Sequence, residues 1–148
     1  MSKIKIQRMS HAKGLPLPSY ASDNCSGLDL SAAIKNILKI KPGNTETIPT
    51  GLRILLTKNL EGQIRPRSGL AHKFGITVLN SPGTIDADYR GEIKIILINH
   101  GKKDFIIKRG MRIAQLVILK IEKIKWNEKE KFALNTKRSE SGFGSTGY

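Results

Sequence analysis

The sequence is poor in the residues that mark secreted, membrane-spanning and base-stacking proteins. Its one cysteine, Cys25, excludes an internal disulfide and fits a reducing compartment. Aromatic residues make up only 5%, which leaves few platforms for stacking nucleic-acid bases. No apolar run is long enough to span a bilayer, and the first residues lack the apolar core and cleavage site of a signal peptide. We therefore expect a cytoplasmic protein with no membrane partner.

Acidic residues are also scarce, because 12 Asp and Glu stand against 26 Lys and Arg, and the net charge is +14. A charge of this size is a common mark of nucleic-acid binding. The lysines, however, are scattered along the chain, and scattered lysines more often form a solvated surface. A basic nucleic-acid-binding β module therefore stays as an alternative, but we do not expect nucleic acid to be the partner. The charge would also attract a small phosphorylated ligand.

Short apolar segments separated by Gly, Pro, Asn and Ser fill most of the 148 residues. Their length and spacing predict an all-β sandwich or barrel with one short helix, over residues 68–75. The predicted strands lie in residues 4–9, 27–33, 47–56, 62–66, 76–80, 92–99, 104–108 and 112–121.

The strand predicted over residues 92–99 is apolar on both faces. Ile93, Ile95 and Leu97 point to one side, and Ile96 and Ile98 point to the other. In an isolated chain, one of these two apolar faces would be exposed to solvent unless another surface covered it. This favours burial against a second subunit. We expect an oligomer.

The composition divides the chain into a β domain, residues 1–125, and a C-terminal tail, residues 126–148. The tail is charged at first and then rich in Gly and Ser, so it cannot form a core strand. Its composition fits a frayed terminus and a lid that closes over phosphate groups equally well.

Polar residues that could carry chemistry occur in five segments. The first is SGLDLSAA (26–33), where Asp29 lies opposite the apolar face of a strand. The second is RPRSGLA (65–71), where Arg67, Ser68 and Gly69 precede a predicted helix. Such a turn suits an anion, and Ser68 could also be a simple helix N-cap, since the two interpretations are compatible.

The third segment is ITVLNSPGTIDADYRGEI (76–93), in which residues 81–83 predict a hairpin turn with Asn80 and Thr84 beside its tip. The residues from Asp86 to Arg90 fit either an exposed turn with an ion pair or a general base beside a sugar-stacking aromatic. The fourth is RGMRIAQLVI (109–118), where Gln115 interrupts an apolar strand and needs hydrogen-bond partners. The fifth is RSESGFGSTG (138–147) in the tail.

In this order and at these separations, the five segments resemble the five motifs of the trimeric dUTP diphosphatases over nearly the whole chain. The resemblance implies a jelly-roll homotrimer whose active sites lie at subunit junctions and are completed by another chain's tail. It also implies Mg²⁺-dependent hydrolysis of dUTP to dUMP and pyrophosphate, which supplies dUMP for thymidine nucleotides and keeps uracil out of DNA. Ser139 and Ser141 depart from the family, which usually has glycines there.

The resemblance further implies a role for each site residue. Asp86 would activate the water that attacks the α-phosphorus, and Tyr89 would pack under the deoxyribose. Asp29 would contact the water shell of a Mg²⁺ held mainly by the substrate phosphates. The uracil edge would be bound by Asn80, Thr84, Ile85 and Lys94, and the phosphate chain by Arg67, Ser68, Gly69 and Gln115. The tail would add Arg138 at the γ-phosphate, Phe143 over the base, and Gly144, Ser145 and Thr146 beside them.

A dCTP deaminase is the alternative enzyme, because that family shares the fold and the trimer. Its chemistry needs an acid–base group at the cytosine amine, for which Glu92 is the nearest candidate. The IDADYRG segment and the tail favour the diphosphatase.

Overall fold

The computed structural model describes residues 3–130, which fold almost entirely into short strands. The strands are β1 (Lys5–Arg8), β2 (Leu28–Ser31), β3 (Leu38–Ile40), β4 (Thr45–Pro49), β5 (Leu52–Leu55), β6 (Leu60–Arg65), β7 (Ile76–Val78), β8 (Gly83–Ile85), β9 (Lys94–Asn99), β10 (Phe105–Ile107) and β11 (Arg112–Lys120). A 3₁₀ turn covers Ser10–Ala12, and the α-helix α1 covers Ser68–Phe74. No helix in this part of the chain has the length and apolarity needed to cross a bilayer.

Two sheets and two strand ribbons make up the fold. The larger sheet has the order β2-β11-β6-β8, and the smaller has the order β4-β9-β7. The ribbons pair β1 with β5 and β3 with β10, and all strand pairs are antiparallel. The predicted all-β fold with one short α-helix is confirmed for residues 3–130.

The predicted hairpin around residues 81–83 is wrong. β7 pairs with β9 in the smaller sheet, whereas β8 pairs with β6 in the larger one. The turn therefore carries the chain from one sheet to the other. The strand pattern on either side of a turn cannot reveal this, because it is the same whether the two strands pair with each other or with others.

Two further elements differ from the sequence pattern. Residues 47–56, predicted as one segment, form β4 and β5, which pair with β9 and β1 respectively. β3 has only three residues, too few to show an alternating pattern, and the sequence analysis misses it.

Both sheets and both ribbons contribute to one hydrophobic core. The larger sheet supplies Leu30, Ile64 and Leu116, and the smaller supplies Ile48, Ile95, Leu97, Ile76 and Val78. Each fully buried Leu or Ile contributes about 1.5–3 kcal/mol relative to an exposed one. This shared core holds the two sheets in the positions that build the site.

The two apolar faces predicted for β9 are present. Ile95 and Leu97 are fully buried, while Ile96 and Ile98 on the other face are half-buried. The second face therefore keeps apolar surface in the single chain.

Asn99, at the end of β9, is fully buried among apolar residues and is held by three hydrogen bonds. Its Nδ2 donates to the carbonyl oxygens of Ile40 and Lys103, at 2.9 and 2.8 Å. Its Oδ1 accepts from the Gly101 N–H at 2.8 Å. The side chain thus joins β9 to β3 and to the loop before β10.

We expect Asn99→Ala to lower the free energy of unfolding by about 2–4 kcal/mol, because it leaves one buried and two part-buried backbone groups without the Asn99 side chain as partner. Denaturant unfolding at a fixed protein concentration measures this, with the exposed Asn36→Ala as the matched control. Equal stability of the two variants would show that the three bonds do not secure this end of the core.

Candidate active site

Every site residue predicted in the first, second and fourth motifs lines one small pocket of about 190 Å³, which we call the phosphate pocket. Its lining residues are Asp29, Arg67, Ser68, Gly69 and Gln115. The sheet brings them together because Gln115 on β11 lies opposite Asp29 on β2. Directly paired residues point to the same face of a sheet, so both side chains reach the same side.

Asp29 holds two arginines at this pocket. Its Oδ1 accepts from Arg67 Nε at 3.0 Å, and its Oδ2 accepts from Arg112 Nη1 at 2.9 Å. Arg67 Nη1 also donates to the Arg112 carbonyl oxygen at 3.2 Å. These contacts use two of the five N–H donors of Arg67, and one carboxylate faces two guanidinium groups. The cluster therefore keeps a net positive charge and donors for an anion.

Arg112 is a site residue that the sequence analysis misses. Its position relative to Asp29 depends on the pairing of β11 with β2, and a bulge interrupts that pairing between Arg112 and Ala114. No spacing in the sequence contains that information.

Gln115 has the partner that a half-buried amide needs, since its Nε2 donates to the Pro66 carbonyl oxygen at 2.9 Å. Its Oε1 lies against Gly27, where an added Cβ would be only 2.0 Å away. A side chain at Gly27 would therefore displace Gln115. The glycine of the first motif makes room for the glutamine of the fourth.

The interpretation of Ser68 as a helix N-cap is wrong. Arg67 is the N-cap residue of α1, and Ser68 is the first residue inside the helix. Ser68 and Gly69 are both exposed, and no atom beyond the neighbouring residues and the helix backbone lies within 4 Å of where a Gly69 Cβ would stand. The Ser68 hydroxyl and the backbone at Gly69 are accordingly open to a ligand.

The residues predicted in the third motif line a second cavity of about 250 Å³, which we call the nucleoside cavity. The predicted residues in its wall are Asn80, Thr84, Ile85, Asp86, Tyr89 and Lys94. Thr47, Ile64, Val78, Gly83, Glu92, Ile95 and Ile96 complete it. Glu92 was considered only for deamination, and the other six were not predicted as site residues. Those six come from β4, β6, β7, β8 and β9, and only tertiary pairing brings them to the cavity.

Tyr89 is held at this cavity by its hydroxyl group, which donates to the Glu92 carbonyl oxygen at 2.9 Å. The ring is 43% exposed. The Tyr89 N–H donates to the Asp86 carbonyl oxygen at 3.1 Å, so one turn fixes both residues. A flat ring and a carboxylate thus face the same small cavity.

Asp86 also borders a wider cleft of about 760 Å³. The cleft is lined by Leu56, Lys58, Asn59, Asp86, Ala87, Asp88, Arg90, Ile121 and Lys123. None of the four ion pairs within residues 3–130 involves Asp86, and its side chain is exposed. The carboxylate can therefore receive a water molecule between cavity and cleft.

The nucleoside cavity and the phosphate pocket share no lining residue, and different rows of the larger sheet reach them. Gln115 pairs with Arg65 on β6, which places the phosphate-pocket row on the Arg65 face. Ile64, the residue before Arg65 on β6, points to the other face and pairs with Gly83. Both residues line the nucleoside cavity. The structure thus brings each set of predicted residues together but keeps the two sets apart within one chain.

The predicted tail residues lie outside the described part of the chain. They are Arg138, Phe143, Gly144, Ser145 and Thr146, together with Ser139 and Ser141.

Comparison with known proteins gives a consistent family. The dUTPase family model matches residues 13–147. A protein of Rickettsia bellii named deoxyuridine 5'-triphosphate nucleotidohydrolase is 56% identical over 147 residues, covering 99% of this chain and 97% of the relative. A protein of the same name from Neorickettsia sennetsu is 57% identical over 143 residues, covering 97% of this chain and 95% of the relative.

Solved structures agree with the fold. The dUTPase of Staphylococcus bacteriophage 80alpha, solved with dUpNHpp, superimposes with a TM-score of 0.88 at 23% identity, and the match covers 100% of both chains. The dUTPase of phage phi11 of S. aureus, described with a structural Mg(II) ion, has a TM-score of 0.79 at 20% identity and covers 88% of this chain and 99% of that one.

The phosphate pocket should bind inorganic pyrophosphate, because Arg67 retains donors for an anion. We expect added pyrophosphate to raise the melting temperature of the unmodified protein. The increase should be lost in Arg67→Ala and kept in Arg65→Ala, whose guanidinium is bound to Gln63 outside the pocket. An increase that survives in Arg67→Ala would place the anion elsewhere.

Proposed function

The chain belongs to the dUTPase family and hydrolyses dUTP to dUMP and pyrophosphate, and on this premise we propose how its residues divide the work. One observation carries the proposal. Each predicted site residue within residues 3–130 lines either a cavity with the Tyr89 ring and the Asn80 amide or a pocket with the Arg67 guanidinium. The first environment suits a nucleoside and the second suits its phosphates.

The nucleoside cavity selects uracil on deoxyribose. Asn80 and the backbone at Thr84, Ile85 and Lys94 hydrogen-bond the uracil edge, in a space too narrow for the 5-methyl group of thymine. Cytosine is rejected because its exocyclic amine would leave these polar groups mispaired, and such mismatches discriminate strongly. Tyr89 packs under the deoxyribose and leaves no room for a ribose 2′-hydroxyl.

The phosphate pocket holds the triphosphate chain through Arg67, the Ser68 hydroxyl and the backbone at Gly69, with Gln115 beside it. The hydrogen bonds of Arg67 to Asp29 and to the Arg112 carbonyl oxygen support this role, because they fix the Arg67 guanidinium before any ligand arrives. A positive charge held in place stabilises the charge that builds up on the departing pyrophosphate.

Asp86 acts as the general base. Its carboxylate takes a proton from a water molecule as the water oxygen forms a bond to the α-phosphorus and the bond to the bridging oxygen of pyrophosphate breaks. Its position between the nucleoside cavity and the cleft supports the assignment, since the α-phosphate follows the sugar. No covalent enzyme intermediate is needed.

Mg²⁺ fits the site as an ion carried by the substrate. Within residues 3–130, no group of three or more His, Cys, Asp or Glu could form a protein cage for a metal. Mg²⁺ commonly relies on substrate phosphates and retains water ligands. The Asp29 carboxylate gives one lone pair on each oxygen to an arginine and keeps acceptor sites for a water of the metal shell. The bound ion would supply charge neutralisation at the phosphates.

We infer a jelly-roll homotrimer in which one copy's nucleoside cavity works with another copy's phosphate pocket. Their separate linings support this, because the two share no residue and the Gln115 row and the Ile64 row of the sheet point to opposite faces. Exposed apolar side chains also support assembly, since Trp126 is 87% and Ile124 is 67% exposed in the single chain. The tail residues Arg138, Phe143, Gly144, Ser145 and Thr146 of a neighbouring copy would close the site.

The physiological role that follows is supply of dUMP for thymidine nucleotide synthesis and exclusion of uracil from DNA, in the cytoplasm. Deamination of dCTP is less well supported, because the Glu92 carboxylate is already bound by the His11 ring and the Gly51 N–H. Nucleic-acid binding is also less well supported, because it would assign no role to the nucleoside cavity or to the phosphate pocket.

We expect pyrophosphate release from dUTP, and little from dCTP, dTTP or UTP, when the four are assayed in parallel with Mg²⁺. Asp86→Asn should lower kcat by roughly 10²- to 10⁴-fold, the usual contribution of a general base. Asp88→Asn is the matched control, since Asp88 lines the cleft but not the nucleoside cavity. Removal of Mg²⁺ by a chelator should abolish turnover.

Two outcomes of this assay would contradict the proposal. Ammonia released from dCTP would move the activity to deamination. Unchanged dUTP turnover in Asp86→Asn would remove Asp86 from the role of base.

A further inference from the structure

Glu92 occupies an unusual position for a residue that the five motifs leave without a role. Its Oε1 accepts two hydrogen bonds, from His11 Nε2 at 2.8 Å and from the Gly51 N–H at 2.7 Å. A carboxylate oxygen can only accept, so the His11 ring must carry its proton on Nε2. The side chain of Glu92 is only 11% exposed, which makes these two bonds stronger than surface contacts.

The partners of Glu92 are themselves fixed. Arg109 Nη1 and Nη2 donate to the carbonyl oxygens of His11 and Lys13, at 2.8 and 3.0 Å. The Met9 N–H donates to the Gly51 carbonyl oxygen at 2.8 Å. Glu92 is therefore tied to a rigid junction between the 3₁₀ turn and the start of β5, and not to a mobile loop.

The backbone of the same residue holds Tyr89, because the Tyr89 hydroxyl donates to the Glu92 carbonyl oxygen. The chain between them is closely packed, and a Cβ at Gly91 would lie 2.3 Å from the Tyr89 hydroxyl oxygen. Any shift of residue 92 would therefore move the Tyr89 ring at the mouth of the nucleoside cavity.

We propose that Glu92 is a positioning residue for sugar selection: its carboxylate, held by His11 and the Gly51 N–H, fixes the segment from which Tyr89 faces the nucleoside cavity. This rests on the proposed role of Tyr89 under the deoxyribose. The first residues of the chain, which lie outside the five motifs, thereby contribute to the choice of dUTP over UTP.

The measurement is the ratio of kcat/KM for dUTP to that for UTP. Glu92→Ala should lower this ratio roughly tenfold, since misplacement of a contacting group by about 1 Å can cost up to 10²-fold. Glu92→Gln should stay within roughly twofold of the unmodified protein, because the amide oxygen can still accept both bonds. His11→Ala, which keeps the Gly51 contact, should lower the ratio by an intermediate amount. If Glu92→Ala does not fold, the ratio in His11→Ala tests the role of Glu92.

Controls separate positioning from general stability. Asp104→Ala removes an exposed ion pair with Lys39 on the β3–β10 ribbon and should leave the ratio unchanged. Asn99→Ala should lower stability without changing the ratio. A Glu92→Ala protein that is destabilised but keeps the full ratio would overturn the proposal, as would an equal loss in Glu92→Gln and Glu92→Ala.

Tyr89→Ala distinguishes failure of this inference from failure of the proposed function. Loss of the ratio in Tyr89→Ala but not in Glu92→Ala or His11→Ala would leave Tyr89 as the sugar filter and refute only the role of Glu92. A full ratio in Tyr89→Ala would refute the filter itself.

Discussion

The pairing of β6 with β11 on one side and β8 on the other is the constraint on which the site depends. Side chains alternate between the two faces of a strand, so neighbouring residues on β6 serve opposite faces. Arg65 shares a row with Gln115 and the phosphate pocket, whereas Ile64 shares a row with Gly83 and the nucleoside cavity. A slip of one residue in this register would exchange the two faces and dismantle both sites. The register is secured because Ile64 and Leu116 are buried in the core.

Hydrogen bonds to a few half-buried groups fix the side chains of the candidate active site. Asp29 holds Arg67, for which we propose a role at the phosphates, and Glu92 is bonded to His11 through its carboxylate and to the Tyr89 hydroxyl through its carbonyl oxygen. In both cases a carboxylate holds another residue in place. Preorganised groups of this kind lower a reaction barrier because little ordering is left to do when the substrate binds. Asp86, whose carboxylate we propose as the general base, is by contrast exposed. It takes part in none of the ion pairs within residues 3–130.

The sequence predicts where the strands lie better than it predicts which strands pair with each other. The apolar alternation of β9 and β11 and the short helix α1 are visible because their patterns are local. The pairing of β7 with β9 and of β8 with β6 is not visible, and it makes the predicted hairpin wrong. The structure brings the motif residues of residues 3–130 into two pockets, while the roles that the family resemblance implies for them stay predictions. Arg112, Thr47 and His11 have no local signal, because each acquires its neighbours only through contacts distant in sequence.

The central claim, that one copy's nucleoside cavity works with another copy's phosphate pocket, is tested most directly by mixing two inactive variants. Asp86→Asn and Arg67→Ala chains would be unfolded together, refolded and assayed on dUTP. Random assembly should restore about a quarter of normal activity, because half of the cavities and half of the pockets are intact in independent copies. Asp86→Asn chains refolded alone, in which every nucleoside cavity lacks the base, should stay inactive. Absence of recovery in the first mixture, with mixed assemblies present, would mean that each chain holds a complete site.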